Sequence, residues 1–320
     1  MNLETIYKLV IEHGIEKDPR GKENVCKILQ REKEKYEKLS QEEKEDFDLE
    51  KLTNPYSDSR ILYSTGKENI KTIMVGIDIE ISELLLANTL IKNGLKIDAV
   101  ITHHPEGRAL ANLYEVMNIH SDVLNKFGVP INIAESIMEP RIKEISRKLL
   151  PVNHNRAIDA ARLLNIPFMS IHTPADNCVS DYLQKLFDKE EKNIDNLEGI
   201  IKILKSIPEY KKAQKNSRGP VIVVGDKTKK PGKIFVDMTG GTEGAIDAIE
   251  KLSIAGVGTI IGMHMSEEHI KTAEKNHINV IIAGHISSDT LGLNLMLDYI
   301  EKQTEQLKVV ECSGFERIRR

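Results

Sequence analysis

The sequence predicts an α/β protein of two layered lobes preceded by a helical extension. From Ile70 onward, short apolar runs alternate with helix-length amphipathic stretches, the rhythm of strands joined by crossover helices. That rhythm breaks once, in the polar stretch 188–217, where strand signal is low. Before Ile70 the texture is different, dense in Lys and Glu. The expected division is residues 1–69 for the extension, 70–195 for the first lobe and 196–320 for the second.

Within the extension, Leu3, Ile6, Leu9 and Val10 recur at helical spacing. The segment Glu16 to Lys51 mixes both charge signs at i, i+3 and i+4, which supports a solvated helix and not a single-signed interaction tail. One stripe (Val25, Ile28, Leu29, Tyr36, Leu39) is available for packing, and a partner-binding arm is the other reading of the segment. Asn54-Pro55-Tyr56 and Thr65-Gly66 mark a loop before the main fold.

In the first lobe, Ile73 to Asp78 reads as a strand, followed by a helix from Ser82, a possible N-cap, to Asn93-Gly94. Asp98 to Thr102 is the next strand and Phe168 to His172 the last, with helices around 110–127 and 140–164 between them. The second lobe repeats the pattern. Strands are expected at 221–224, 234–237, 259–261 and 280–283, with helices at 243–252, 266–276 and 288–301.

Composition narrows the function classes. The chain has 320 residues, 40% hydrophobic and 29% charged, enough to bury a core. A net charge of -4 offers no basic field for nucleic acid, and 4% aromatic residues without Trp argue against a stacking platform. Cys26, Cys178 and Cys312 are scattered and odd in number, as in a protein from a reducing compartment. With no signal-peptide pattern and no membrane-length apolar run, the expected location is the cytoplasm.

Polar outliers collect at strand ends, where open α/β sheets place ligands. Val100-Ile-Thr-His-His-Pro105 sets two imidazoles after a buried strand. Adjacent strand residues point to opposite faces, so His103 and His104 share a site only if the strand has ended, and Pro105 enforces that end. Ile171-His-Thr-Pro-Ala-Asp176 brings an acid to another strand end, and Ala283-Gly-His-Ile-Ser-Ser-Asp289 brings a His and an acid four residues apart to a third. Each acid has a bland alternative, since Asp176 or Asp289 can simply cap the following helix. Three coincident strand ends bearing imidazole and carboxylate point instead to a metal site for zinc, manganese, iron or cobalt.

The order HHP, HTPAD, AGHISSD resembles the Nif-three-like family (type two GTP cyclohydrolase I homologues) over about Ile70 to Cys312. The resemblance implies two divalent metal ions per chain, held by His103, His104, Asp176, His285 and Asp289, and a homo-oligomer, often a hexamer. Several positions depart from the family pattern. The last acid is Asp289 where the family has Glu, Glu106-Gly107-Arg108 follows the HHP motif, and Gly262-Met263-His264 lacks the family's Gly-Asp acid.

Further candidates surround these positions. Glu106, His264 and His269 form the pool for a catalytic proton donor, and Arg108 is a candidate contact for an anionic substrate. Asp78 and His172 can orient ligands. Thr239-Gly-Gly-Thr-Glu-Gly244 is either a phosphate cradle without a P-loop lysine or a tight helix-entry turn. His13, His120, His154 and His277 read as helix-surface residues. Two functions follow as expectations. One is a metal-dependent hydrolase of a nucleotide or phosphate ester, by resemblance similar to a GTP cyclohydrolase. The other is a non-catalytic metal-binding or partner-binding factor.

Overall fold

A computed structural model describes residues 1–66 and 69–320, so two residues of the expected 1–69 segment lie outside it. The chain opens with helices α1 (Leu3–Lys17), α2 (Lys22–Lys38) and α3 (Gln41–Asp46), then strand β1 (Arg60–Tyr63). The first α/β run is β2 (Thr72–Gly76), α4 (Ile81–Lys92), β3 (Ala99–Thr102), α5 (Gly107–Ala111), α6 (Ile119–Lys126), α7 (Ile131–Leu149), α8 (Arg156–Leu164) and β4 (Phe168–Ser170). Helices α9 (Thr173–Glu190), α10 (Leu197–Ser206) and α11 (Pro208–Lys215) lead to the second run. That run is β5 (Val221–Val224), β6 (Lys233–Asp237), α12 (Ala248–Ile254), β7 (Val257–Gly262), α13 (Glu267–Lys275), β8 (Asn279–Ile282), α14 (His285–Gln303) and β9 (Lys308–Cys312).

These strands form two sheets, ordered β1-β4-β3-β2-β9 and β5-β8-β7-β6. In the first, β9, β2, β3 and β4 run parallel and β1 is antiparallel. In the second, β6, β7 and β8 are parallel and β5 is antiparallel. The apolar runs are buried on both faces, as parallel strands require. Ile73, Val75, Ala99 and Ile101 face the main core, while Met74, Val100 and Phe168 face the layer formed by α4 and α8. The second sheet alternates in the same way. Phe235, Ile260 and Val280 join the main core, and Ile234, Val236, Ile261 and Ile281 pack against residues of α9 and α10.

Strand pairing crosses the boundaries drawn from the sequence. Both β1, from before residue 70, and β9, from the last residues, belong to the first sheet. Helix α1 is likewise part of the fold's centre, because Leu3, Ile6 and Val10 are fully buried in the main core. Helix α2 behaves as a solvated extension, with Val25 buried and Ile28, Leu29, Tyr36 and Leu39 half-buried along one stripe, and α3 buries none of its residues.

Three local expectations are corrected. Helix α4 is capped at Glu80 through a reciprocal box with Glu83, leaving Ser82 inside the helix. Helix α12 starts at Ala248, five residues later than expected. The reason lies in Gly240 and Gly241, which take φ of 108° and 83° and hold the preceding segment as a loop. His13 and His120 are buried, His13 stacked on Tyr299 with ring centroids 3.8 Å apart. Among the described residues no helix is long and apolar enough to cross a membrane.

Candidate metal centre

The first sheet delivers its candidate ligands by continuing its ladder beyond the last strand residues. The His103 N–H donates to Gly76 O and the His104 N–H to Ile77 O, so the backbone is held while the strand geometry relaxes ahead of Pro105. Both rings then reach one site, with centroids 5.3 Å apart and planes 46° apart.

The acids arrive on helices. Asp176 is the fourth residue of α9 and Asp289 the fifth of α14, so neither caps its helix. Gly284, at φ 115°, makes the turn from β8 into α14, a conformation that favours glycine. His285 and Asp289 then lie one helical turn apart on the same face. Gly292 lets α14 approach the start of α9, since a Cβ there would sit 2.5 Å from Ala175 O. That close crossing is what brings Asp289 and Asp176 together.

The nitrogen–oxygen separations define a compact cluster. His103 Nε2 lies 3.3 Å from Asp176 Oδ1 and 3.5 Å from Asp289 Oδ1. His104 Nε2 and His285 Nε2 each lie 3.5 Å from Asp289 Oδ2. Two groups with metal-ligand spacing therefore share Asp289: His103, Asp176 and Asp289, and His104, His285 and Asp289. A third group joins His103, His104 and His172. All five sequence-predicted ligands are thus brought together, and His172 stands with them.

The far side of three rings is anchored. His103 Nδ1 bonds Ile171 O at 2.9 Å, His104 Nδ1 bonds Asp78 at 2.6 Å, and His172 Nδ1 bonds Asp58 at 2.8 Å. Asp58 is fully buried and also accepts from Thr173 Oγ1 at 2.6 Å. Each anchor turns the ring's Nε2 toward the cluster, which is how metal-binding imidazoles are oriented. By contrast, Asp176 Oδ1 and both Asp289 oxygens are buried without a hydrogen bond among the described residues. Buried carboxylate oxygens left this way are costly unless a cation meets them.

Electrostatics agree with the geometry. Burial disfavours protonation of His103, yet the Asp289 and Asp176 carboxylates outweigh it and raise its pKa well above the ordinary value. Burial pushes Asp289 up, and His103, His104 and His285 pull it far below the usual carboxylate range. Burial lowers His285, which shares Asp289 with other imidazoles.

The three proton-donor candidates separate clearly. Glu106 immediately precedes α5, and burial together with Glu80 raises its carboxyl to about 7, but it does not line the cavity of about 110 Å³ beside the cluster. His269 lines that cavity with both nitrogens engaged, Nδ1 with Ser266 Oγ at 2.7 Å and Nε2 with Gly244 O at 3.2 Å. His264 is exposed, sits edge-on to His285 at 4.7 Å between centroids, and makes no hydrogen bond among the described residues. Arg108 is exposed and turned to Asp48. The Thr239–Gly244 loop packs on the His120 ring, which bonds Thr242 O at 2.9 Å, and α12 begins only at Ala248.

Sequence reasoning missed Asp58, His120 and Asp237. Asp58 lies in the polar run Tyr56-Ser-Asp-Ser-Arg60, whose only signal is a cluster of polar residues leading into a strand.

Comparisons with known proteins bear on the family and the fold. The family model described as Duf34/NIF3 (NGG1p interacting factor 3) matches residues 142–316. A NIF3 superfamily protein from Sphaerobacter thermophilus is 30% identical, with TM-score 0.71, covering 81% of this chain and 91% of that one. Reduced HcgD from Methanocaldococcus jannaschii is 15% identical, with TM-score 0.48, covering 79% and 87%. A Bacillus cereus protein related to NIF3 is 10% identical, with TM-score 0.39, covering 79% and 90%. No curated protein sequence matches the chain.

Proposed function

The chain belongs to the Duf34/NIF3 family, and from that premise we propose that it is a metal-dependent hydrolase with two divalent ions at the His/Asp cluster. The observation that carries the reading is the set of three buried carboxylate oxygens without hydrogen bonds, facing imidazole nitrogens whose opposite sides are anchored. An imidazole and carboxylate donor set suits zinc, manganese, iron or cobalt. His103, Asp176 and Asp289 would hold one ion and His104, His285 and Asp289 the other, with His172 beside the first two rings.

When bound, such ions lower the pKa of water and polarise a scissile bond. The protein's own residues supply the rest. Asp58, Asp78 and Ile171 O hold the imidazoles in register, and the α9–α14 crossing holds the acids. His264, beside His285 and without a hydrogen bond of its own among the described residues, is assigned as the acid/base group, in preference to His269 and Glu106. Phosphate esters, nucleotides and cyclic amides are the candidate substrate classes.

The test is a hydrolysis screen of these classes with metal-loaded chain, run beside His264→Ala. Turnover that falls roughly 10²-fold or more in the variant, with metal content unchanged, supports the reading. No turnover of any class would leave the second reading, a non-catalytic metal-binding or partner-binding factor. The solvated α2 is the surface that reading would use.

A further inference from the structure

Two cavities adjoin the cluster, a larger one lined by Lys212, Arg218, His264 and His285 and a smaller one reached past His172 and Asp176, and the smaller bears on what the site accepts. It holds about 110 Å³, well below the roughly 300–1,000 Å³ of pockets for drug-sized ligands. Its mouth meets the cluster at His172, Asp176, His285 and Asp289. Its far wall is apolar, formed by Val123, Leu124, Phe235, Leu252 and Ile260. Among the described residues that line it, none is Lys or Arg.

The acids at its rim differ in their commitments. Glu243 is engaged, accepting from the Ser266 N–H at 2.7 Å with its other oxygen 3.3 Å from His269 Nδ1. Asp237, at the carboxyl end of β6 and in register with Gly262, is partly buried, and its carboxyl makes no hydrogen bond among the described residues. A partly buried acceptor above an apolar wall favours an N–H donor on a flat, weakly polar body. Beyond the ions the cluster would hold, no lining Lys or Arg favours an anion in the cavity, and the Asp237 carboxylate repels one.

Resting on the hydrolase reading, we propose that this cavity holds a small uncharged ring bearing N–H groups, anchored by Asp237, and that the substrate is a cyclic amide or ureide rather than a nucleoside triphosphate. Hydrolysis adds one water across the ring C–N bond. The carbonyl carbon gains the hydroxyl, the nitrogen gains the proton, and no oxidant or reductant is needed. Asp237 is then a residue of substrate binding, and the size of the cavity sets the specificity.

The experiment is calorimetric titration of metal-loaded chain with dihydrouracil and, separately, with inorganic triphosphate, on wild type and Asp237→Asn. The expected result is dihydrouracil binding that weakens about tenfold in Asp237→Asn, because a charge-assisted hydrogen bond becomes a neutral one. Triphosphate should bind more weakly than dihydrouracil to wild type. Amide shifts at Phe235 and Ile260 when dihydrouracil is added to wild type give a reading that depends on no variant. Tighter binding of triphosphate, absence of dihydrouracil binding, or binding indifferent to Asp237→Asn would overturn the proposal. Dihydrouracil bound as expected but never hydrolysed would contradict the hydrolase reading alone.

Discussion

The carboxyl ends of the parallel strands of the two sheets meet across one site, yet they are built for different tasks. The first sheet ends in His103, His104 and His172, each with one ring nitrogen tied to a backbone or carboxylate oxygen. The second ends in Asp237 and His264, which make no side-chain hydrogen bonds among the described residues. One edge is pre-set, its donors held before any ligand arrives. The other keeps its polar groups free and backs them with an apolar wall. Similar strand patterns therefore yield a rigid ligand cluster on one side and a chamber on the other, and the difference lies in what stands behind each side chain.

Breaking the pre-set edge should have the largest effect. Asp289→Asn removes the carboxylate shared by both metal-spaced groups, so the purified variant should lose both ions, as read by metal analysis. Retention of the full complement would mean that Asp289 is a packing residue. A smaller effect is expected one step behind the cluster. Asp58→Asn should fold, because the amide can still accept from Thr173, but should lower metal affinity by about 10–100-fold in a chelator competition. Unchanged affinity would remove Asp58 from the account.

The mildest test is pH. In the metal-free chain, burial opposes the His103 proton but Asp289 and Asp176 hold it, raising the pKa above 6.5. A group whose pKa rises on folding gives stability that is complete below its unfolded value and is lost as pH climbs through the folded one. Calorimetric melting of the metal-free chain should therefore fall as pH rises above the ordinary histidine value of about 6.5 and through the raised one. The metal-loaded chain should not show this fall, because the ions take the proton's place. Parallel profiles for the two forms would contradict the overlap of proton and metal sites.

Much of the pre-set edge was legible in the sequence, because its imidazoles sit at the ends of apolar runs. Val100 to Thr102 announces a buried strand, Pro105 marks where it stops, and His103 and His104 fall between. The supports were not legible. Asp58 reaches His172 across 114 residues of sequence, and no local pattern encodes such a partner. The same holds for β1 and β9, whose place in the first sheet is set by pairing and not by their own texture. His120 reads as a surface residue because its helix is amphipathic. Its burial depends on a loop from the other lobe, where a Cβ at Gly240 would stand 2.6 Å from its ring.

The most direct test is metal analysis by mass spectrometry of chain purified without an affinity metal column, beside a His103→Ala, His104→Ala double variant. The account predicts about two divalent ions per chain in the wild type and none in the variant. A wild-type chain that takes up no zinc, manganese, iron or cobalt even after loading would contradict it, and the strand-end histidines and acids would then serve only to pack the fold.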